Sequence, residues 1–147
     1  MDQVTITTQR VVNGPTEQVR AALADYRTTR PKILTEHFSD YQVHAGGQGA
    51  GTQVHWKFAA TKKRVRDQLI DVSEPGDGPL VETDANSSMV TTWTVRPADG
   101  GRSTVTVRTT WNGAGGVSGF FERTFAPIGL RRVYDGMLGK LDDVLAR

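Results

Sequence analysis

Residues 97–111 read PADGGRSTVTVRTTW, a turn followed by a segment in which apolar and polar side chains alternate. Its Asp-Gly pair is typical of hairpin turns, because both residue types accept the positive φ that such turns demand. After the turn, Val105 and Val107 alternate with polar residues, which predicts a strand over 103–112 with one buried face. Since residues 89–96 alternate in the same way, the two segments together predict an antiparallel hairpin.

Five more strand patterns lie upstream of this hairpin, separated by turn residues such as the GGQGAG and EPGDGP segments. They cover residues 3–12, 41–45, 52–60, 62–72 and 80–85. The connections from residue 41 onward are short and rich in glycine, which is typical of an antiparallel meander. The sequence therefore predicts one sheet of seven antiparallel strands.

Two short helices are predicted between the first and second strands. Pro15 suits the first turn of a helix, and the apolar spacing after it predicts a helix from about Pro15 to Asp25. A second short helix is predicted after it from Ile33, Leu34 and Phe38. Both helices need packing against the sheet to be stable.

The period of the apolar residues changes in the last 30 residues, from two to that of a helix. A long amphipathic C-terminal helix is predicted, bent at Pro127 because proline cannot donate the helical hydrogen bond. The apolar stripe is formed by Phe121, Phe125, Leu130, Val133, Met137, Leu141 and Val144.

Composition excludes several classes of protein. The chain has 147 residues, so we expect a single domain over 1–147. No apolar run is long enough for a transmembrane segment, and a net charge of +2 is too small to predict nucleic-acid binding. The absence of cysteine excludes disulfides and thiolate metal sites, and the polar N-terminal segment is unlike a signal peptide. We therefore expect a cytoplasmic protein without a cofactor.

The order of elements resembles the START-like superfamily, also called SRPBCC or helix-grip proteins, which includes polyketide cyclase/dehydrase and lipid-transport proteins. The resemblance is carried by VVNGPTEQVRAALADY at 11–26, GGQGAGTQVHW at 46–56, the hairpin at 97–111 and the terminal helix. It implies an α+β fold in which a curved sheet of seven strands wraps around the C-terminal helix. It also implies an apolar cavity between them for a lipid, sterol or polyketide-like molecule.

Strand alternation predicts which side chains face that cavity, because residues two apart share a face. The three tryptophans set the phase of their strands, and Asp67 and Leu69 are placed on the inner face of the fourth strand. An equally simple reading is that the aromatic residues only fill the core. The residues predicted to line the cavity are Phe38, Tyr41, Val54, Trp56, Phe58, Asp67, Leu69, Trp93, Trp111, Phe121, Phe125 and Val133.

Asp67 and His37 are the candidates for acid–base chemistry. An inward Asp67 could orient a polar part of the ligand, whereas a bulge or a nearby cation would give it a purely structural role. His37 is predicted in the second short helix, near the mouth of the cavity, where a structural role is the alternative. His37, His44 and His55 lack the spacing of a metal site, so no metal is predicted.

Three functions remain open. The first is binding or transport of a hydrophobic small molecule. The second is a polyketide aromatase/cyclase, in which a positioned acid–base group in the same cavity promotes ring closure. The third is an interaction module that needs no cavity, which a filled core would favour.

Overall fold

A computed structural model describes residues 3–61, 64–75, 78–112 and 127–146 of the protein. All neighbouring strands pair antiparallel in one open, curved sheet with the order β1-β7-β6-β5-β4-β3-β2. The predicted seven-stranded antiparallel sheet is therefore confirmed. Its strands are β1 (Gln3–Val12), β2 (Phe38–Ala45), β3 (Gln53–Thr61), β4 (Arg64–Ser73), β5 (Leu80–Asp84), β6 (Val90–Ala98) and β7 (Arg102–Asn112).

The β6–β7 hairpin forms as its sequence predicts. A single 3-10 turn, Asp99–Gly101, connects the strands, and Gly100 has a φ of 73°, which favours glycine because it lacks a Cβ. On its other side β7 pairs with β1, from Gln3 opposite Asn112 to Val12 opposite Ser103. The first strand is thus a direct neighbour of the last.

The first predicted short helix is confirmed as α1 (Thr16–Ala24), which buries Val19 and Leu23. The second, α2 (Thr29–Ile33), lies earlier in the chain than predicted and meets the predicted segment only at Ile33. The helix ends because Leu34 is extended, with φ −69° and ψ 139°. Phe38 does not continue the helix and instead begins β2, opposite Phe58 of β3. Phe38 thus pairs across two strands, although helical spacing had placed it in the second helix.

The long C-terminal helix, α3 (Pro127–Leu145), lies against β1 and α2. Two of its polar residues bond to the sheet, since Asp135 accepts from Thr8 and Asp142 accepts from the backbone and side chain of Asn13. Phe121 and Phe125, which the sequence places on the same apolar stripe, lie outside the described residues. The buried face consists of Leu130, Val133, Tyr134, Met137, Leu138 and Leu141, at helical spacing.

The glycine-rich turn between β2 and β3 is packed against the end of α1. The backbone N–H of Tyr26 donates to the carbonyl of Gly47 at 2.9 Å, and that of Gly49 donates to Ala24 at 2.8 Å. Gly46 has a φ of 67°, and a Cβ there would lie 2.8 Å from Cα of Thr52, so only glycine fits. This turn therefore fixes the segment between α1 and α2 against the sheet.

Burial alternates along the strands. On β3, β6 and β7 the inner face carries the residues that the tryptophan phase predicted, among them Trp56, Trp93 and Trp111, each no more than 6% exposed. The helices cover this inner face, and the outer face is polar and rich in threonine. No helix in the described ranges is long and apolar enough to cross a membrane.

Candidate functional site

The candidate site is a cavity between the inner face of the sheet, α2 and α3. Aromatic rings and two methionines form most of its wall, and several buried polar groups share the wall with them. The lining residues are Arg30, Leu34, Phe38, Trp56, Phe58, Gln68, Ile70, Glu82, Met89, Thr91, Trp93, Leu130, Tyr134 and Met137.

A buried ion pair lies at this wall. Arg30 of α2 donates from Nη2 to Oε2 of Glu82 on β5 at 2.8 Å, and the two side chains are 1% and 4% exposed. Tyr26 donates to the same oxygen at 2.6 Å, and Trp93 donates from Nε1 to the other oxygen at 2.9 Å. Nη1 of Arg30 donates to the carbonyl of Leu23 at 3.0 Å. These bonds supply the partners that a buried charge requires.

Arg30 stays charged at neutral pH. Burial acts to lower the pKa of Arg30, but the charge of Glu82, with smaller contributions from neighbouring tyrosines, raises it above its ordinary value. Burial, and then the charge of Glu82, raises the pKa of Tyr26, so its hydroxyl stays protonated and donates. The site therefore presents the Arg30 cation, held against Glu82, and a neutral hydroxyl donor, Tyr26.

A second polar chain runs through the wall from Trp56. Its Nε1 donates to Oε1 of Gln68 at 2.7 Å, and Nε2 of Gln68 donates to Oδ2 of Asp84 at 3.3 Å. Ser87 donates to the same oxygen of Asp84 at 2.7 Å, and the backbone of Leu69 donates to the other at 3.1 Å. This chain explains how a glutamine and an aspartate are buried on the inner face.

Helix α3 contributes a hydroxyl to the cavity. Tyr134 lies 2.9 Å from Oγ1 of Thr109 and 3.3 Å from Oγ1 of Thr91, all three being buried. Burial raises the pKa of Tyr134, against the opposing effect of these hydrogen bonds. Tyr134 is consequently a neutral group that can exchange hydrogen bonds with a polar atom in the cavity.

Aromatic rings form the end of the cavity near β2. Phe38 lies edge-on to Trp56 with centroids 5.7 Å apart, and its centroid is 4.9 Å from that of Phe58. Tyr41, predicted to line the cavity, stacks on Trp56 at 6.1 Å and donates to the carbonyl of Tyr26. It supports the wall from behind and is not among the lining residues.

The cavity is small in this conformation. Its free volume is about 20 Å³, roughly the room that one water molecule needs. Pockets that bind such ligands usually have volumes of about 300–1,000 Å³, so the cavity implied by the resemblance is much smaller than that in this conformation. The reason is that side chains of the wall, including Met89, Met137 and Phe38, pack into the space between sheet and helix.

A larger depression lies at the surface beside α1. Its free volume is about 280 Å³, and Arg20, Leu23, Leu80 and Arg96 are among its lining residues. Trp93 lines both this depression and the cavity. We regard the cavity as the candidate site, because its wall is more apolar than that of the depression and includes buried polar groups.

The structure divides the predicted lining residues. Phe38, Trp56, Phe58 and Trp93 line the cavity. Val54, Trp111 and Val133 are buried in the core beside it without lining it. The predictions for Phe121 and Phe125 fall outside the described residues.

Asp67 and Leu69 do not face the cavity, and this prediction is wrong. Trp56 pairs with Gln68 across β3 and β4, and directly opposite residues share a face, so Gln68 and not Asp67 is inward. The Asp67 side chain is 62% exposed. Sequence alternation was ambiguous here, because apolar residues stand on both faces of β4 and the inner face includes a glutamine.

None of the three histidines lines the cavity, although the ring of His37 lies 6.3 Å from that of the lining residue Phe58. His55, on the outer face, bonds to Asp67 and stacks on His44 with centroids 5.9 Å apart. His37 lies in the turn after α2, not in a helix as predicted, with Nδ1 2.9 Å from Oγ1 of Thr35. Within the described part of the chain no group of three or more acidic or histidine side chains is arranged to hold a metal ion.

Sequence reasoning missed Arg30, Glu82, Gln68 and Tyr134. The signal for Glu82 was its parity with Leu80, since alternate residues of a strand share a face. Arg30 gave no such signal, because α2 has only five residues and the acid that pairs with Arg30 lies on β5, far along the chain.

Three solved structures illustrate what the chain is similar to. The KanY protein, solved by NMR in solution, is 52% identical over 100% of both chains, with a TM-score of 0.89. An aromatase/cyclase from Streptomyces sp. R1128 is 13% identical with a TM-score of 0.75, over 99% of this chain and 95% of that one. Norcoclaurine synthase from Thalictrum flavum, in complex with dopamine and hydroxybenzaldehyde, is 11% identical with a TM-score of 0.70, over 99% and 87%.

The last two similarities concern the fold alone. A search of curated proteins found no match to this sequence. The family model described as polyketide cyclase / dehydrase and lipid transport matches residues 3–146, nearly the whole chain. Together with the predicted and observed helix-grip architecture, this match shows that the chain belongs to the polyketide cyclase/dehydrase and lipid transport family.

Proposed function

We propose that the protein binds a hydrophobic, largely aromatic small molecule in the cavity between the sheet and α3. The observation that carries this proposal is the buried pair of Arg30 and Glu82 at an apolar wall. A core built for stability alone does not need such a pair, because apolar residues of similar size stabilise a fold as well or better. The family description, which names both cyclases and lipid transport, supports the same proposal.

The small free volume requires that the ligand displace part of the wall. Met89 and Met137 are suited to this, since unbranched and flexible side chains repack at low cost. A filled core by itself would fit an interaction module, which is the competing hypothesis. Ligand binding distinguishes the two, because an interaction module gives no response to small molecules.

The experiment is a titration of lipids and aromatic polyketides, followed by tryptophan fluorescence and by native mass spectrometry. Trp56 and Trp93 line the cavity and report directly on its contents. Met137→Phe, which adds volume inside the cavity, should weaken binding about tenfold or more, and Val65→Phe, on the exposed outer face, should leave it unchanged. No response across the panel, or equal binding by both variants, would overturn the proposal.

Aromatase/cyclase activity is the second candidate. It is favoured by Tyr134, whose neutral hydroxyl lines the cavity and could donate to a substrate carbonyl as a carbon–carbon bond forms at its carbon. The attacking carbon of the substrate would give up a proton to water, and the carbonyl oxygen would take up a proton to become a hydroxyl. Loss of this hydroxyl with a second proton from the attacking carbon would release one water and leave a carbon–carbon double bond. Incubation with a poly-β-keto substrate and mass analysis tests this. A product lighter than the substrate by about 18 mass units, one water, would indicate turnover. The role of Tyr134 would be established if Tyr134→Phe still binds the substrate but does not form this product.

A further inference from the structure

One buried donor at the cavity wall is unsatisfied. Nε of Arg30 is buried and has no hydrogen-bond partner among the described residues, whereas Nη1 and Nη2 are both bonded. Buried N–H groups without a partner are uncommon in folded proteins, and those at binding sites are commonly satisfied by a ligand or a water molecule. Arg30 is also the only cation among the described lining residues.

The guanidinium group is held so that this donor cannot turn to another partner. The ring of Tyr26 lies 4.7 Å from Cζ, and that of Trp93 lies 4.9 Å from it. Both rings also donate to Glu82, which fixes the carboxylate that anchors Nη2. The guanidinium is therefore fixed in position by stacking and by two hydrogen bonds before any ligand arrives.

The charges around the cavity favour a neutral acceptor. Glu82 already neutralises Arg30 at 2.8 Å. Asp84, 3% exposed, adds a negative charge behind Gln68, whose side chain lines the cavity. A ligand carboxylate would lose its hydration and meet these two anions, whereas a ketone oxygen would accept a hydrogen bond without bringing a charge.

We propose that Arg30 is the specificity-determining residue of the cavity, with its Nε–H donating to the carbonyl oxygen of a neutral aromatic ligand and with carboxylates excluded. This inference rests on the proposed binding function. It predicts that the polar group of the ligand is a carbonyl, which the aromatic wall alone does not define.

The experiment compares three probes of one shape: acetylnaphthalene, isopropylnaphthalene and naphthoate. We expect the ketone to bind about tenfold more tightly than the hydrocarbon, because it satisfies a buried donor, and naphthoate to bind least. In NMR spectra the Arg30 Nε–Hε resonance should shift with the ketone and stay in place with the hydrocarbon. This readout uses the unaltered protein, so it does not depend on a variant that folds.

Two variants extend the comparison. Arg30→Lys keeps the positive charge opposite Glu82 but removes the Nε donor, so ketone and hydrocarbon affinities should come within about twofold of each other. The double variant Arg30→Met with Glu82→Gln removes the Nε donor together with both charges and should do the same. Asp84 remains behind Gln68 in this variant, so naphthoate should still bind least.

The outcomes separate the two proposals. If all three probes bind with equal affinity and the Arg30 resonance does not respond, the binding function stands and this inference fails, a water molecule being the partner of Nε. Tightest binding of naphthoate would also overturn the inference. If neither these probes nor the broader panel bind, the binding function itself fails.

Discussion

Two acid–base pairs lie on opposite faces of the same sheet, and they differ in their exposure to solvent. Arg30 and Glu82 on the inner side are 1% and 4% exposed, whereas His55 and Asp67 on the outer side are 20% and 62% exposed. The inner pair depends on further donors for its stability. The outer pair lies where water can replace any bond that is broken.

The comparison shows that burial, more than the contact itself, decides what such a pair does. A charge removed from water must be compensated by the protein, so loss of one partner leaves the other uncompensated. At the surface, solvent screens the charges and side-chain entropy opposes the contact, so little is gained or lost. The inner pair can therefore hold a donor in a fixed position for a ligand, and the outer pair cannot.

The largest effect is expected for Glu82→Ala. It leaves Arg30 buried without its counter-charge and removes the acceptor of Tyr26 and Trp93. We expect the free energy of unfolding to fall by about 3–5 kcal/mol, measured by urea denaturation.

The matched control is the double variant Arg30→Met with Glu82→Gln, in which no buried charge remains. It should lose less stability than Glu82→Ala. A single variant within about 1 kcal/mol of the parent would show that the inner pair behaves like a surface pair.

A second effect, which grows as the pH is raised, is expected from the tyrosines. All three tyrosines of the chain, Tyr26, Tyr41 and Tyr134, have pKa values raised first of all by burial. In the unfolded chain each ionises near its ordinary pKa of about 10, while the folded state keeps the proton. Above about pH 10 the unfolded state therefore binds fewer protons, and the free energy of unfolding falls by about 1.4 kcal/mol per pH unit for each tyrosine.

This pH dependence is measured by following tyrosinate absorbance and far-ultraviolet circular dichroism as the pH is raised. Both signals should change together, because the tyrosines ionise only as the protein unfolds. Ionisation near pH 10 (about the ordinary pKa) with an intact circular dichroism spectrum would contradict the burial of these hydroxyls.

The smallest effect is expected for Asp67→Asn on the outer face. It removes the charge that faces His55, and we expect a loss of about 0.2–1 kcal/mol that shrinks as salt is added. Ligand affinity should be unchanged, since Asp67 lies on the face opposite the cavity. A change in ligand affinity with unchanged stability would show that Asp67 contributes to the binding site.

The fold could be predicted because its signals are local and periodic. The hairpin at 97–111 combines turn chemistry with alternation of period two, and the tryptophans set the inner face of three strands. A strand with one apolar face has a single consistent orientation, as on β3 and β7. On β4, apolar residues stand on both faces, and the phase was misassigned.

The polar part of the site could not be predicted in the same way. Arg30 and Glu82 are far apart in sequence and meet only because α2 is fixed over β5 in the folded chain. Neither residue type is expected in a core, so composition argues against burial. Their burial is possible because Tyr26 and Trp93 donate to Glu82, and because Arg30 donates to the carbonyl of Leu23. Only the assembled structure provides these bonds.

The pairing of β1 with β7 has a consequence for how the chain folds as it is synthesised. Paired residues of these strands are roughly a hundred positions apart, a separation that slows folding. At about 5–20 residues per second, a ribosome needs roughly 5–20 s between making β1 and completing β7. During that interval β1 has no neighbour in the sheet, so its unpaired N–H and C=O groups are open to pairing with other nascent chains.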